Sequence, residues 1–233
     1  MTTIMERKVM TEQKKVGIYL FPHMTMMDAY GPLQFFAMVD EFETFTFSKT
    51  SEALMSDAGV LLTPHYGFDN CPEIDVLLVP GGGNVLPQLK DQEVIDFLRQ
   101  AGDKAEYVTS VCTGGLILAE AGLLDGHRAV THWAYSELLD SYPNVTLVDE
   151  RVCISGNRIT GGGVTAGIDF AISVIANILG EPSAQVIQLL FEYRPAPPFN
   201  SGGPETAPQF AVDAIRGKVA EIATDLWEYR SRC

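Results

Sequence analysis

Tyr107-Val-Thr-Ser-Val-Cys112-Thr-Gly-Gly-Leu116 is the stretch on which the reading of the fold turns. Five residues of strand character run straight into Cys-Thr-Gly-Gly. A small-residue helical pattern over 114–121 follows at once. A strand that breaks sharply into a helix through a cysteine and two glycines has the logic of a nucleophile elbow. Small neighbours permit the close approach, and the cysteine is presented where strand and helix meet.

Apolar runs on either side repeat the arrangement. Residues 16–21 read as a buried strand ending at Pro22, with a helix from about 29 or 33 to 39 and an alternating strand over 44–47. Residues 74–79 form a second continuous apolar strand, stopped by Pro80 and three glycines. Helical spacing over 91–101 begins at Asp91 as N-cap. Residues 128–131 resemble a further strand, and 152–160 a hairpin turning at Gly156-Asn157. Helices are predicted over 165–179, 182–193 and 211–229. Strands alternating with helices indicate an α/β fold with a mostly parallel sheet covered on both faces. The Pro/Gly-rich stretch 195–208 reads as an internal connection. The expected organisation is an N-terminal extension over 1–14 and a single domain over 15–233.

Composition narrows the function. Lys and Arg number 16 against 30 Asp and Glu, a formal net charge of −14, which leaves no basic face for nucleic acid. The apolar run 170–179 is too short to span a bilayer. The polar N-terminus lacks the apolar core of a secretory signal. A soluble, cytoplasmic protein without nucleic-acid or membrane partners is expected. Four separated cysteines, with no C-x-x-C and no His/Cys ligand pair, give no metal-site signature.

In an open α/β sheet, ligands collect beyond the carboxyl ends of the strands. Cys112 stands there, facing a helix N-terminus that would lower its pKa; from position alone it is either a nucleophile or a packing thiol. Cys71, Cys153 and Cys233 have no such context and read as packing or surface thiols. Asp28, among apolar neighbours, would have a raised pKa suited to acid/base work, although the simpler reading is a helix cap. Gly81 and Gly82 follow a strand end, where their N–H groups would steady an anion or merely make a turn. His132 reads as a hydrogen-bonded structural residue or a chemical group. Gly161-Gly-Gly-Val-Thr-Ala166 fits a dinucleotide pattern, but a helix follows where a βαβ unit needs a strand, so no nucleotide cofactor is expected.

With strand–Cys–Thr–Gly–Gly–helix, Val79-Pro-Gly-Gly-Gly83 and Asp28-Ala-Tyr-Gly-Pro32 together, the sequence resembles the PfpI-type superfamily. That is the class I glutamine-amidotransferase-like group of intracellular proteases, deglycases and related enzymes. Within it the chain is similar to the isonitrile (isocyanide) hydratases, through residues 107–116, 129–135, 160–170 and 192–200. The similarity covers nearly the whole chain apart from its first fifteen or so residues and the far C-terminus.

The resemblance implies a flavodoxin-like three-layer sandwich, a homodimer and no cofactor. It assigns the nucleophile to Cys112 and the acid/base carboxylate to Asp28. The activity implied is a hydro-lyase reaction, water adding to R–NC through a Cys112 thioimidate to give an N-substituted formamide. Thr113 would bond Asp28 or substrate, Gly81 and Gly82 would supply backbone donors, and Trp133, Tyr30 and His132 would border the pocket. The deglycase-like branch has Glu where Asp28 stands, and the protease-like branch has His where Thr113 stands; both departures point away from a peptidase. The alternatives are a glyoxalase/deglycase-like enzyme and a redox-sensing or chaperone-like protein. A regulator's sensing module is disfavoured by the acidity and by the thirty or so residues after Asn200.

Overall fold

The structure, a computed structural model, describes residues 13–232. Most of the expected N-terminal extension (residues 1–12) and Cys233 lie outside the described residues. The chain begins with β1 (Lys14–Tyr19), α1 (Met26–Phe36), β2 (Phe42–Phe47), β3 (Leu54–Met55) and β4 (Leu61–Leu62). Next come β5 (Val76–Val79), α2 (Leu86–Lys90), α3 (Gln92–Lys104), β6 (Tyr107–Val111), α4 (Gly114–Glu120) and β7 (Arg128–Ala129). After a 3-10 turn at Trp133–Tyr135 come α5 (Ser136–Asp140), β8 (Thr146–Leu147), β9 (Val152–Ser155) and β10 (Arg158–Gly161). The chain closes with α6 (Ala166–Leu179), α7 (Glu181–Leu190) and α8 (Gln209–Arg230).

Six strands form the main sheet in the order β2-β1-β5-β6-β10-β9, parallel except for the β9–β10 hairpin. Crossovers leave β1 toward one edge and β5 and β6 toward the other; with the right-handed sense that parallel crossovers take, their helices cover opposite faces. α1 packs with α6, and α3 with α4. This is the expected three-layer α/β arrangement. The four residues of β5 are all buried, as a central parallel strand requires.

The short strand predicted over 128–131 differs. It is reduced to β7, which pairs in parallel with β8 in a separate two-stranded sheet. The first helix also starts earlier than the spacing predicts, at Met26, with Pro32 inside it. The distant Asp57, in the turn between β3 and β4, explains this start. Its Oδ1 accepts the Met26 N–H at 3.0 Å, satisfying a free donor of the first turn.

α8 is anchored through Glu120 at the end of α4. That carboxylate accepts from Tyr142 at 2.8 Å and from Tyr229 at 3.0 Å, while Arg230 lies 3.7 Å from the Tyr142 ring centroid. At the other end of α4 the constraint is steric. A Cβ on Gly114 would stand 2.1 Å from the Val79 carbonyl oxygen, so α4 approaches the end of β5 as only glycine allows.

Two substitutions test this packing by urea denaturation. Gly114→Ala should lose about 2 kcal/mol or more, because the clash is with backbone that cannot swing aside. Gly217→Ala, in the exposed interior of α8 with nothing within 4 Å of the new methyl, should gain about 0.5–1 kcal/mol. A wild-type midpoint for Gly114→Ala would contradict the close approach.

Candidate active site

β1, β5 and β6 lie side by side, so the segments leaving their carboxyl ends meet at one place on the sheet edge. The register pairs Val79 with Ser110, which sets Gly81 beside Cys112. A Cβ on Gly81 would lie 2.9 Å from Cys112 Cβ and 2.5 Å from Thr113 N. Any side chain there would push the two segments apart.

Cys112 takes the left-handed conformation, φ 58°, unusual for a residue with a Cβ. Its backbone is held from both sides. The N–H donates to the carbonyls of Gly161 and Gly162 at 3.0 and 2.9 Å, and the carbonyl accepts from Thr131 Oγ1 at 2.9 Å. The elbow is therefore real, and it leaves the side chain 5% exposed.

Asp28 is not a cap. The N-cap position belongs to Thr25, and Asp28 sits in the first turn of α1 with its carboxyl turned inward, 0% exposed. Oδ2 accepts the Gly81 N–H at 3.1 Å, and Oδ1 has no hydrogen-bond partner. Burial drives its pKa up to about 7; the Gly81 N–H and the Cys112 thiol pull it back, while the charge of Asp57 adds to the rise.

The carboxyl and the thiol thus face one another, and the thiol is raised in turn, by burial first and then by the charge of Asp28. The backbone N–H groups of Thr113 and Val164 act on the sulfur in the opposite direction but do not prevail. The lowered thiol pKa expected from the helix N-terminus is therefore corrected, because desolvation outweighs the N–H groups.

Two further expectations change. The Thr113 hydroxyl donates to the Gly82 carbonyl at 2.7 Å and accepts the Gly82 N–H at 2.9 Å. Its single proton goes to backbone, not to Asp28 or a ligand. The Gly81 N–H is held by Asp28 and the Gly82 N–H by Thr113, so neither points into open space to meet an anion. These groups fasten the Gly81–Gly82 segment to the two flanking loops.

His132 caps the 3-10 turn. Its Nδ1 accepts the Ala134 N–H at 3.2 Å, and burial lowers its pKa. Its ring packs against Gly163, where a Cβ would come within 2.6 Å of Cδ2. These contacts are the kind a hydrogen-bonded structural histidine makes. Trp133 borders a cavity of about 770 Å³ that also takes in Thr131, Gly162, Gly163 and Arg216, with neither Cys112 nor Asp28 on its walls. Tyr30 is half-buried and packs on the core from α1. The three expected pocket residues therefore do not converge on one wall.

Two residues at the site escaped the sequence reading. Val164 supplies an N–H toward the sulfur, from a loop whose glycines suggested only a nucleotide pattern. Tyr135 donates its hydroxyl to the Gly83 carbonyl at 2.7 Å, and its phenol is pushed up to about 12 by burial and by the negative charge Cys112 would carry. Among the described residues no cluster of three or more His, Cys, Asp or Glu could hold a metal ion.

Comparison with known proteins gives the family. Residues 14–177 match the DJ-1/PfpI family. The chain is 44% identical over 217 residues to the isonitrile hydratase of Pseudomonas putida, covering 92% of this chain and 95% of that protein. It is 26% identical to the HTH-type transcriptional regulator GbdR of Pseudomonas aeruginosa over 77% of this chain, spanning 51% of that regulator. Among solved structures, a THiJ/PfpI family protein from Pseudomonas syringae superposes with a TM-score of 0.88 at 37% identity, covering 92% of this chain and 89% of the other. Drosophila melanogaster DJ-1beta, at 20% identity and a TM-score of 0.69 over 78% of this chain and 100% of its own, shares the fold. A cysteine on a strained elbow, faced by a buried carboxyl in a sheet of this order, accompanies a sequence match over most of the chain: the protein belongs to the DJ-1/PfpI family.

Proposed function

We propose that the protein is an isonitrile hydratase, converting R–NC and water to the N-substituted formamide R–NH–CHO. The observation that carries this reading is the 44% identity, over 92% of the chain, to a protein of that name. The pairing of Asp28 with Cys112 supports it, because the reaction needs a nucleophile and one group that repeatedly takes up and returns a proton.

The carboxylate of Asp28 takes the thiol proton as Cys112 sulfur attacks the terminal carbon of the isonitrile. That proton is returned to the same carbon, leaving a thioimidate, R–N=CH–S–Cys112. Asp28 next takes a proton from water as the oxygen adds to the thioimidate carbon, and delivers it to nitrogen. The tetrahedral species collapses: the carbonyl forms, the C–S bond breaks, and Asp28 carries the hydroxyl proton to the departing sulfur. Atoms balance without an oxidant or reductant. A carboxyl with a pKa of about 7 is both an adequate base and an adequate acid at neutral pH. The unpartnered Oδ1 is the lone pair available for that exchange.

The protein is further proposed to act in the cytoplasm as a homodimer without a cofactor. Among the described residues no helix is long and apolar enough to cross a membrane. Val186, Leu189 and Leu190 lie exposed at helical spacing on α7, the kind of apolar surface that supports a second copy docking there.

Asp28 also makes the fold sensitive to pH. Its pKa is raised on folding from 3.8 to about 7, so the folded state holds the proton more tightly than the unfolded one. Stability is then greatest below the unfolded value and falls as pH rises toward 7. The cost above pH 7 is on the order of 4 kcal/mol.

Incubation with an aliphatic isonitrile should yield the formamide mass, with methylglyoxal turned over poorly or not at all. Cys112→Ala should abolish the formamide while keeping the wild-type circular dichroism; undiminished turnover by that variant would end the proposal. Asp28→Asn should lose activity by about 100-fold or more, since an amide cannot cycle the proton. The same variant should be more stable than the wild type at pH 8, with the difference shrinking steadily as pH falls from 7 to 4. A pH-independent difference would contradict the raised carboxyl. Light scattering should give the mass of two chains, reduced to one by Leu189→Glu.

A further inference from the structure

We propose that Tyr135 is a positioning residue for the reacting pair: its hydroxyl pins Gly83 and so holds the Gly81–Gly83 segment against both Asp28 and Cys112. The inference rests on the reading of Asp28 and Cys112 as the reacting groups.

The segment after β5 is the only backbone that touches both partners among the described contacts. Gly81 donates to Asp28 Oδ2 and accepts the Thr25 N–H at 2.9 Å, while Gly82 exchanges two hydrogen bonds with Thr113, directly after Cys112. Beyond Gly82 the chain turns outward, and Gly83 and Asn84 are exposed. A segment of three glycines has little conformational preference of its own. It therefore needs an external fastening at its outer end, and the Tyr135 hydroxyl supplies one at 2.7 Å on the Gly83 carbonyl. The Tyr135 ring is itself fixed: it is 5% exposed, and its neighbour His132 is locked onto the backbone of the same 3-10 turn.

The Gly81 N–H is one of the two groups that pull the Asp28 pKa down. Loosening the segment weakens that bond first. The other groups facing the pair are unaffected: Asp57 from the β3–β4 turn, the Thr113 N–H from the elbow and the Val164 N–H from the loop before α6. The consequence has a definite sign. Without the Tyr135 hydroxyl, Asp28 holds its proton to higher pH, and fewer enzyme molecules carry the base at neutrality.

Tyr135→Phe keeps the buried ring and removes only the hydroxyl. The test reads the pH dependence of iodoacetamide alkylation on the Cys112 peptide by mass spectrometry, alongside kcat and KM with an aliphatic isonitrile. The lower-pH limb of the alkylation profile should move upward by about half a unit or more. At pH 7, kcat should fall about tenfold with KM within about twofold, since orientation and not binding is lost. Tyr142→Phe, whose hydroxyl bonds Glu120 instead, should leave both readouts at wild-type values. An alkylation profile and kcat of Tyr135→Phe indistinguishable from wild type would overturn the inference. The alkylation profile needs no turnover. A shifted profile in a protein inactive on isonitriles would therefore refute the substrate reading and uphold the role of Tyr135.

Discussion

One oxygen of Asp28 rests on the Gly81 N–H at 3.1 Å and the other takes no N–H or O–H donor, in a carboxyl sealed from solvent with only the Cys112 thiol beside it. A group in that state resists ionisation, and burying it costs the fold stability whenever it is charged. Much of the local architecture follows from tolerating it. α1 must begin before Asp28 for the side chain to turn inward, which leaves the Met26 N–H to be capped from Asp57. The backbone must come close enough to offer an N–H, which requires glycine at 81. The sheet must set β5 between β1 and β6, so that the same glycine lies against Cys112.

What could be read in the sequence was what local chemistry specifies. The elbow at Cys112, the buried strand before Pro80, the cap at Asp91 and the turn at Gly156-Asn157 are written in adjacent residues, and each is where the spacing places it. The readings that shifted depend on partners far along the chain. Asp28 reads as a cap until Asp57, 31 residues from Met26, is seen to do that work. Tyr135 gives no local signal because its partner Gly83 is 52 residues away. The segment at 128–131 looks like a strand of the main sheet, yet β10 already occupies the place beside β6, and β7 pairs with β8 instead.

The glycines show the same division. Gly161-Gly-Gly163 follows a strand and opens onto a helix, which is what a dinucleotide pattern looks like in one dimension. In three dimensions two of its carbonyls receive the Cys112 N–H, and Gly163 makes room for the His132 ring. Close approach within the protein accounts for Gly161, against Phe170, and for Gly163, while a Cβ on Gly162 would meet only ordinary contacts. Thr113 is comparable: a hydroxyl beside a nucleophile suggests a donor to substrate, but its one proton is engaged by Gly82.

Three cysteines can be compared directly, and burial raises the pKa of each: Cys71 to about 11, with Cys153 and Cys112 moved the same way. A low thiol pKa therefore does not set Cys112 apart. Its distinction is a carboxyl within reach whose own pKa has been brought to about 7 by the same burial. Desolvation works on both members at once: it raises the sulfur as well as the carboxyl, so it keeps the resting thiol protonated and does not by itself narrow the gap between the two. The proton therefore passes to Asp28 only as the new bond to sulfur forms, with the Thr113 and Val164 N–H groups facing the sulfur and a carboxyl near 7 beside it to accept. The nucleophile then arises during attack and need not be stored as a thiolate.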